Sequence, residues 1–276
     1  MRSVGIVAGF AAIFAPRLPA QECGSIRPAR AAVIGTAYVT SEALLVAVRP
    51  ADWWPGSPGP FRLNWVNGGG SPAAGQDYLL HVTASYQLSQ GAALAWRWAC
   101  ASPGAAAWLG AATAFAAGLP KKVVDGFHPA GFEASKNLAN AVGAVLPAVH
   151  QQWPATRMVA LKAWYWPSAE FRAHAAGEPR LLSDYAGQRY YLSVNPARRP
   201  GAVGWPRWLG VAIGHGSSAW ATAPVRHQWY ATLDLDLRGL PIRWSWWPKV
   251  AAVLDQVHLP TPGLRLDGGR WTVGVF

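Results

Sequence analysis

The chain has 276 residues, enough for one large core or two small ones, yet only 13% of them are charged while 51% are apolar. A soluble protein carries about twice that charge, so an ordinary well-charged surface is excluded: either much of it touches lipid or protein, which is the expectation, or the chain is poor at staying in solution alone. The net charge is +11, but no Lys/Arg run exceeds two residues. That excludes a nucleic-acid binder and points to acidic partners such as anionic lipid head groups or an acidic protein neighbour.

Met1-Arg2 followed by the apolar stretch Ser3 to Phe14 resembles a secretory signal, with Leu18-Pro-Ala20 as its cleavage site. Residues 1–28 are read as a signal-like or anchor segment, and export as its meaning. The apolar stretch is shorter than the ~20 residues that span a bilayer. Cys23 and Cys100 are consistent with one disulfide or with two buried thiols, and the sequence leaves both open. Residues 31 to 48 hold one charge, Glu42, which reads as a helix buried all round or barely crossing a membrane. Seventeen tryptophans suit boundaries with one apolar and one wet side. Trp53, Trp54, Trp246 and Trp247, each pair followed by Pro, are the expected membrane or partner contacts.

Helical patterns resume over 77–99, 104–119 and 133–152, rich in Ala, Gly and Ser. Small residues let backbones approach closely, and Gly110 with Ala114 is one such pair. Residues 29–153 are therefore expected to form a helical bundle, embedded in or lying on a membrane.

The grammar changes at Trp153-Pro154. Residues 158–166, 188–194, 209–213 and 228–237 have the β-branched, aromatic, alternating character of strands, Lys249 to Val257 reads as a short helix, and 269–276 as a last strand. Residues 154–276 are expected to be a small antiparallel β region, which makes the whole α+β. In Thr232-Leu-Asp-Leu-Asp-Leu237 the two acids are expected on the wet face of a sheet. The terminal Phe276 shares its parity with Gly274, Thr272 and Arg270, which argues against an outer-membrane barrel.

Three pieces carry the polar chemistry: Asp77-Tyr-Leu-Leu-His81, Lys121-Lys122-Val-Val-Asp125-Gly-Phe127 and Ser135-Lys136-Asn-Leu-Ala-Asn140-Ala-Val-Gly143. With residues 61–64, 184–193 and 205–216 they resemble the YfiM-like predicted periplasmic lipoproteins, a family without assigned activity that shares a faint signature with VanZ-like membrane proteins. The resemblance spans most of residues 29–276. It implies a Lys after the first Asp, a Glu before Val-x-Asp-Gly-Phe and an Asp opening the Asp-x-x-Ala-Asn helix, where this chain has Tyr78, Lys122 and Lys136.

Cations in place of acids repel a metal. Asp77, His81, Lys122, Asp125, Lys136 and Asn140 are accordingly expected to form a structural polar cluster, with no cofactor, no metal and no catalytic residue. The expected function is that of a non-catalytic accessory subunit, on the periplasmic side of a bacterial membrane, of a larger respiratory, photosynthetic, transport or envelope complex. The alternative is a membrane-associated hydrolase or lipid-modifying enzyme using Asp77, His81 and Asp125.

Overall fold

A computed structural model describes residues 23, 25–47, 54, 56–66, 74–173, 184–219 and 224–276. The signal-like segment before Cys23 and the expected contact residue Trp53 lie outside these. The fold is α+β, with six α-helices and a six-stranded antiparallel sheet among the described residues, and the chain divides into two compact units. The first comprises residues up to 68 and 84–152; the second comprises 69–83 and 153–276.

The helical unit contains α1 (Pro28–Ala47) and, following one another through short connections, the later turns of α2 (Gln76–Trp98), α3 (Pro103–Gly126) and α4 (Ala134–Gln152). Ser102 starts α3 by accepting the Ala105 N–H on its hydroxyl at 3.3 Å, and Pro103 takes the first turn, where its missing N–H costs nothing. The sequence pattern ended this helix at 119, but it runs through Pro120 to Gly126. The last turn is held by an i,i+4 pair, Lys121 to Asp125 at 2.8 Å, which offsets part of the hydrogen bond the proline lacks.

A stripe of small residues on α3 (Ala106, Ala107, Gly110, Ala111, Ala114) is buried. A Cβ placed on Gly110 would lie 2.7 Å from the Ser89 carbonyl oxygen and the Ala93 nitrogen of α2, so the two backbones touch there. A two-stranded parallel ribbon, β1 (Leu63–Asn64) with β2 (Phe132–Glu133), fastens the loop before α2 to the start of α4.

α1 is neither buried all round nor a membrane span. Val33, Val39 and Leu44 are exposed, and its anchors are polar: Tyr38 donates to the Ala116 carbonyl at 2.8 Å and Arg27 N–H to the Ala99 carbonyl at 2.9 Å. Among the described residues no helix is long and apolar enough to cross a membrane. Cys23 and Cys100 are disulfide-bonded across 77 residues, with Cα atoms 5.2 Å apart.

The second unit is a meander of β3 (Val159–Tyr165), β4 (Gln188–Val194), β5 (Leu209–Ser217), β6 (His227–Leu235), β7 (Pro262–Asp267) and β8 (Arg270–Val275), with neighbours in chain order and β3 and β8 at the edges. Two short helices, α5 (Ala169–Ala173) and α6 (Trp247–Leu254), sit in its connections. The sequence pattern missed β7, whose Pro-Gly start disguises it.

The faces of this sheet are inverted. One face carries the cross-strand rows Leu161, Leu192, Ile213, Ala231, Leu264, Val273 and Val159, Val194, Val211, Leu233. Ile213 is 63% and Val273 85% exposed. The other face buries Lys162, Tyr191, Ser193, Tyr230, Thr232 and Asp234. Asp234 and Asp236 thus lie inside, not on the wet face expected for them, because buried cations meet them there. Phe276 also belongs to the inner side: its ring lies 5.5 Å from Tyr230 under Arg265, and its backbone pairs with Thr261.

Candidate functional site

The residues of the polar cluster expected from sequence belong to both units. Asp77 and His81 stand on the opening turns of α2, which group with the β unit, while Lys122, Asp125, Lys136 and Asn140 belong to the helical unit. Within the helical unit, Asp125 is buried and well supplied with donors. The Trp54 indole donates to its Oδ1 at 2.8 Å, Lys121 Nζ lies 2.8 Å from Oδ2, and Lys122 Nζ lies at 3.9 Å. Trp54 therefore serves an internal carboxylate. Lys136 turns to Glu133 at 2.9 Å, and Asn140 accepts from Ser85 at 3.1 Å. Burial, followed by the charge of Lys121, pushes the Lys122 ammonium down to about 8. In the β unit Asp77 is buried and its charge adds to the burial that pushes the Tyr190 phenol up.

Sequence reasoning missed the densest polar constellation, which lies on the inner face of the sheet. Lys162 of β3 is 1% exposed and donates to three oxygens: Asp234 at 2.7 Å, Asp255 at 2.9 Å and the Leu235 carbonyl at 3.0 Å. Asp234 also accepts from Ser193 Oγ at 2.5 Å and pairs its Oδ1 with His258 Nδ1 at 2.9 Å. The other ring nitrogen of His258 faces Thr232 Oγ1 at 3.3 Å, and the Tyr191 ring stacks on the imidazole at 3.7 Å.

Arg198 bridges Asp236, through Nη2 to Oδ1 at 2.6 Å, to Asp255, which also meets Arg238 at 3.3 Å. Asn195 donates to Asp236 at 2.6 Å and to the Arg207 carbonyl at 2.8 Å. Three acids thus meet three cations. Burial raises Asp234, but the His258 hydrogen bond, the Lys162 charge and Ser193 outweigh it and hold the carboxyl below its ordinary range; Arg198 does the same for Asp236. The only sequence signal was the Asp234/Asp236 alternation, and its partners come from four other segments.

Asp234, His258 and Thr232 have the order of an acid–base–hydroxyl relay. A relay needs a substrate within reach of its hydroxyl, and Thr232 and His258 are both buried, His258 completely. Every Asp234 oxygen is already taken. The arrangement fastens the loops after β4 and β6 to the sheet; it does not expose a reactive group. A second pair, His215 Nε2 and His227 Nδ1 at 2.9 Å, is held neutral on the His215 side, where burial and then His227 push the imidazole down to about 4. Among the described residues no three His, Cys, Asp or Glu side chains converge as a metal site.

Trp246 is exposed, whereas Trp247 is half-buried and donates to the Leu237 carbonyl at 3.2 Å. No protein-family model, curated protein or solved structure matches this chain.

Proposed function

We propose that the chain is a non-catalytic accessory subunit of a larger bacterial membrane assembly, docked at the periplasmic face of the membrane through the apolar face of its sheet. The observation that carries this reading is the inverted sheet. A face that shows Leu192, Val211, Ile213, Leu233, Leu264 and Val273 together to its surroundings is a contiguous apolar surface of the kind that marks an interaction site. Charges that would serve catalysis are consumed internally: both oxygens of Asp125 are engaged by Lys121 and Trp54, and the buried acids of the sheet by Lys162 and Arg198. The Cys23–Cys100 bridge supports an oxidising compartment such as the periplasm.

The test is mild detergent extraction of native membranes carrying the tagged full chain, followed by sizing and identification of what co-migrates. The chain is expected in a species containing integral membrane proteins, and the Ile213→Glu/Leu264→Glu variant is expected to leave that species while keeping its circular dichroism. A wild-type chain that runs alone, or a hydrolytic activity abolished by His81→Ala, overturns the reading.

A further inference from the structure

The strand topology gathers the basic residues that look scattered in the sequence. β3 begins, β4 ends, β5 begins, β6 ends and β7 begins at one end of the sheet, as the pairs Val159↔Val194, Val194↔Val211 and Leu209↔Leu235 require. Three segments therefore meet there: 153–158, 195–208 and 236–261. They expose six cations, Arg157, Arg199, Arg207, Arg238, Arg243 and Lys249, and five tryptophans, Trp153, Trp205, Trp208, Trp244 and Trp246. Their two acids, Asp236 and Asp255, are both buried and engaged by Arg198. No exposed acidic side chain of these three segments balances the cations. The opposite end is mixed, with Arg226 paired to Asp267 at 3.2 Å.

We propose that this end of the β unit is a binding face for an anionic lipid bilayer, with the tryptophans at head-group depth and the cations on lipid phosphates. Three features select lipid. Exposed cations without exposed acids complement an anionic surface. Indole rings beside them have the amphipathic character that partitions to the membrane interface, and Trp244 and Trp246 are pre-stacked at 5.0 Å. The rim also adjoins the apolar row Val211, Leu233, Val275, giving the order apolar, aromatic, cationic of a bilayer boundary; a nucleic-acid polyanion has no use for the apolar row.

The face is built in advance of binding. Arg198, Asp236, Asp255 and Lys162 tie the loops to the sheet, and Gly239 packs so tightly on Arg207 that an added Cβ would collide with the Arg207 carbonyl. Little ordering is left to accompany binding. The inference rests on the membrane location proposed above and shares only the edge row of Val211 and Leu233 with the sheet face; its cations and tryptophans lie outside that face, so the two fail separately.

The test is sedimentation of the purified full chain with vesicles of phosphatidylcholine alone and of phosphatidylcholine with phosphatidylglycerol. Binding is expected only to the anionic vesicles and to weaken as salt rises. Each cation near an anionic surface is worth about fivefold in partitioning, so Arg207→Glu/Arg243→Glu lowers binding at least ~25-fold. Trp244→Ser/Trp246→Ser also lowers it, whereas Arg270→Glu at the far end leaves it unchanged. Because Arg207 and Arg243 are exposed, these variants are expected to fold, as circular dichroism will check. Equal binding to both vesicle types, wild-type binding by Arg207→Glu/Arg243→Glu, or displacement of vesicles by duplex DNA overturns the proposal. Loss of complex co-migration in Ile213→Glu/Leu264→Glu with vesicle binding intact identifies the sheet face as the separate protein contact.

Discussion

Lys122 shows how a single side chain records the mismatch between charge and burial in the helical unit. Its Nζ has Asp125 only at 3.9 Å, while Lys121 takes the near position. Burial and that second cation therefore dominate, and the ammonium titrates near 8 against an ordinary 10.5. The folded chain holds fewer protons than the unfolded chain between those values, so stability rises with pH across the window and the burden is fully present below it. Lys122→Met is expected to raise the stability of the helical unit at neutral pH by about 1–3 kcal/mol. It should also abolish the rise between about 8 and 10.5, a change that denaturant titrations at several pH values will read. Cys100 is the opposite kind of residue. It sits at φ +70° just after α2, where the Ala101 N–H reaches the Trp96 carbonyl at 3.0 Å. Glycine takes this left-handed cap position without penalty. Here the bridge to Cys23 explains a non-glycine residue.

Two glycines separate propensity from packing at the scale of the helix. Gly91, on the exposed side of α2, has open space where a Cβ would go, whereas Gly110 on α3 meets backbone atoms of α2 at 2.7 Å. Alanine is the better helix former by up to about 1 kcal/mol at either site. At Gly110 that gain is outweighed by forcing two backbones apart, a strain of about 1–3 kcal/mol. Gly91→Ala is thus expected to stabilise and Gly110→Ala to destabilise, and thermal unfolding of the two variants will show opposite shifts.

Local pattern is also what made these elements legible. The periodicity that marks α2 and α4, the β-branched alternation of β4 and β6, and the change of grammar at Trp153-Pro154 are all near-neighbour signals. The faces of the sheet were not legible in the same way. Alternation in Thr232 to Leu237 fixes that Asp234 and Asp236 share a side, but which side is inner depends on Lys162, Arg198 and His258, up to 74 residues away. A polar alternation is read by default as solvent-facing, and here the counter-charges reversed it. Asp77 and His81 share a helix with the residues that pack on α3, yet they group with the sheet while the later turns group with the helices, a long-range assignment that spacing does not reveal.

The two units are held by different chemistry, and conditions that weaken one should spare the other. The helical unit depends on close-packed small residues and on a bridge that closes a loop of 77 residues. Reduction restores that loop's freedom to the unfolded chain and is expected to cost up to about 4 kcal/mol. The β unit depends on buried ionic pairs. His215 is held near 4 against an ordinary 6.5, so its contribution falls as pH drops through that interval. Asp234 and Asp236, both held below the usual carboxylate range, lose theirs as pH falls further, when the unfolded carboxyls protonate first and the native pairs then break. Hydrogen exchange resolved by peptide should therefore show two patterns. Reductant at neutral pH accelerates exchange in 84–152 and leaves 188–276 protected, while acidification from about 6.5 downward opens 188–276 with the bridge intact. Uniform exchange across both regions under either treatment would show that they unfold as one body, and the inner-face ion network would then not be the separate support of the sheet that its geometry describes.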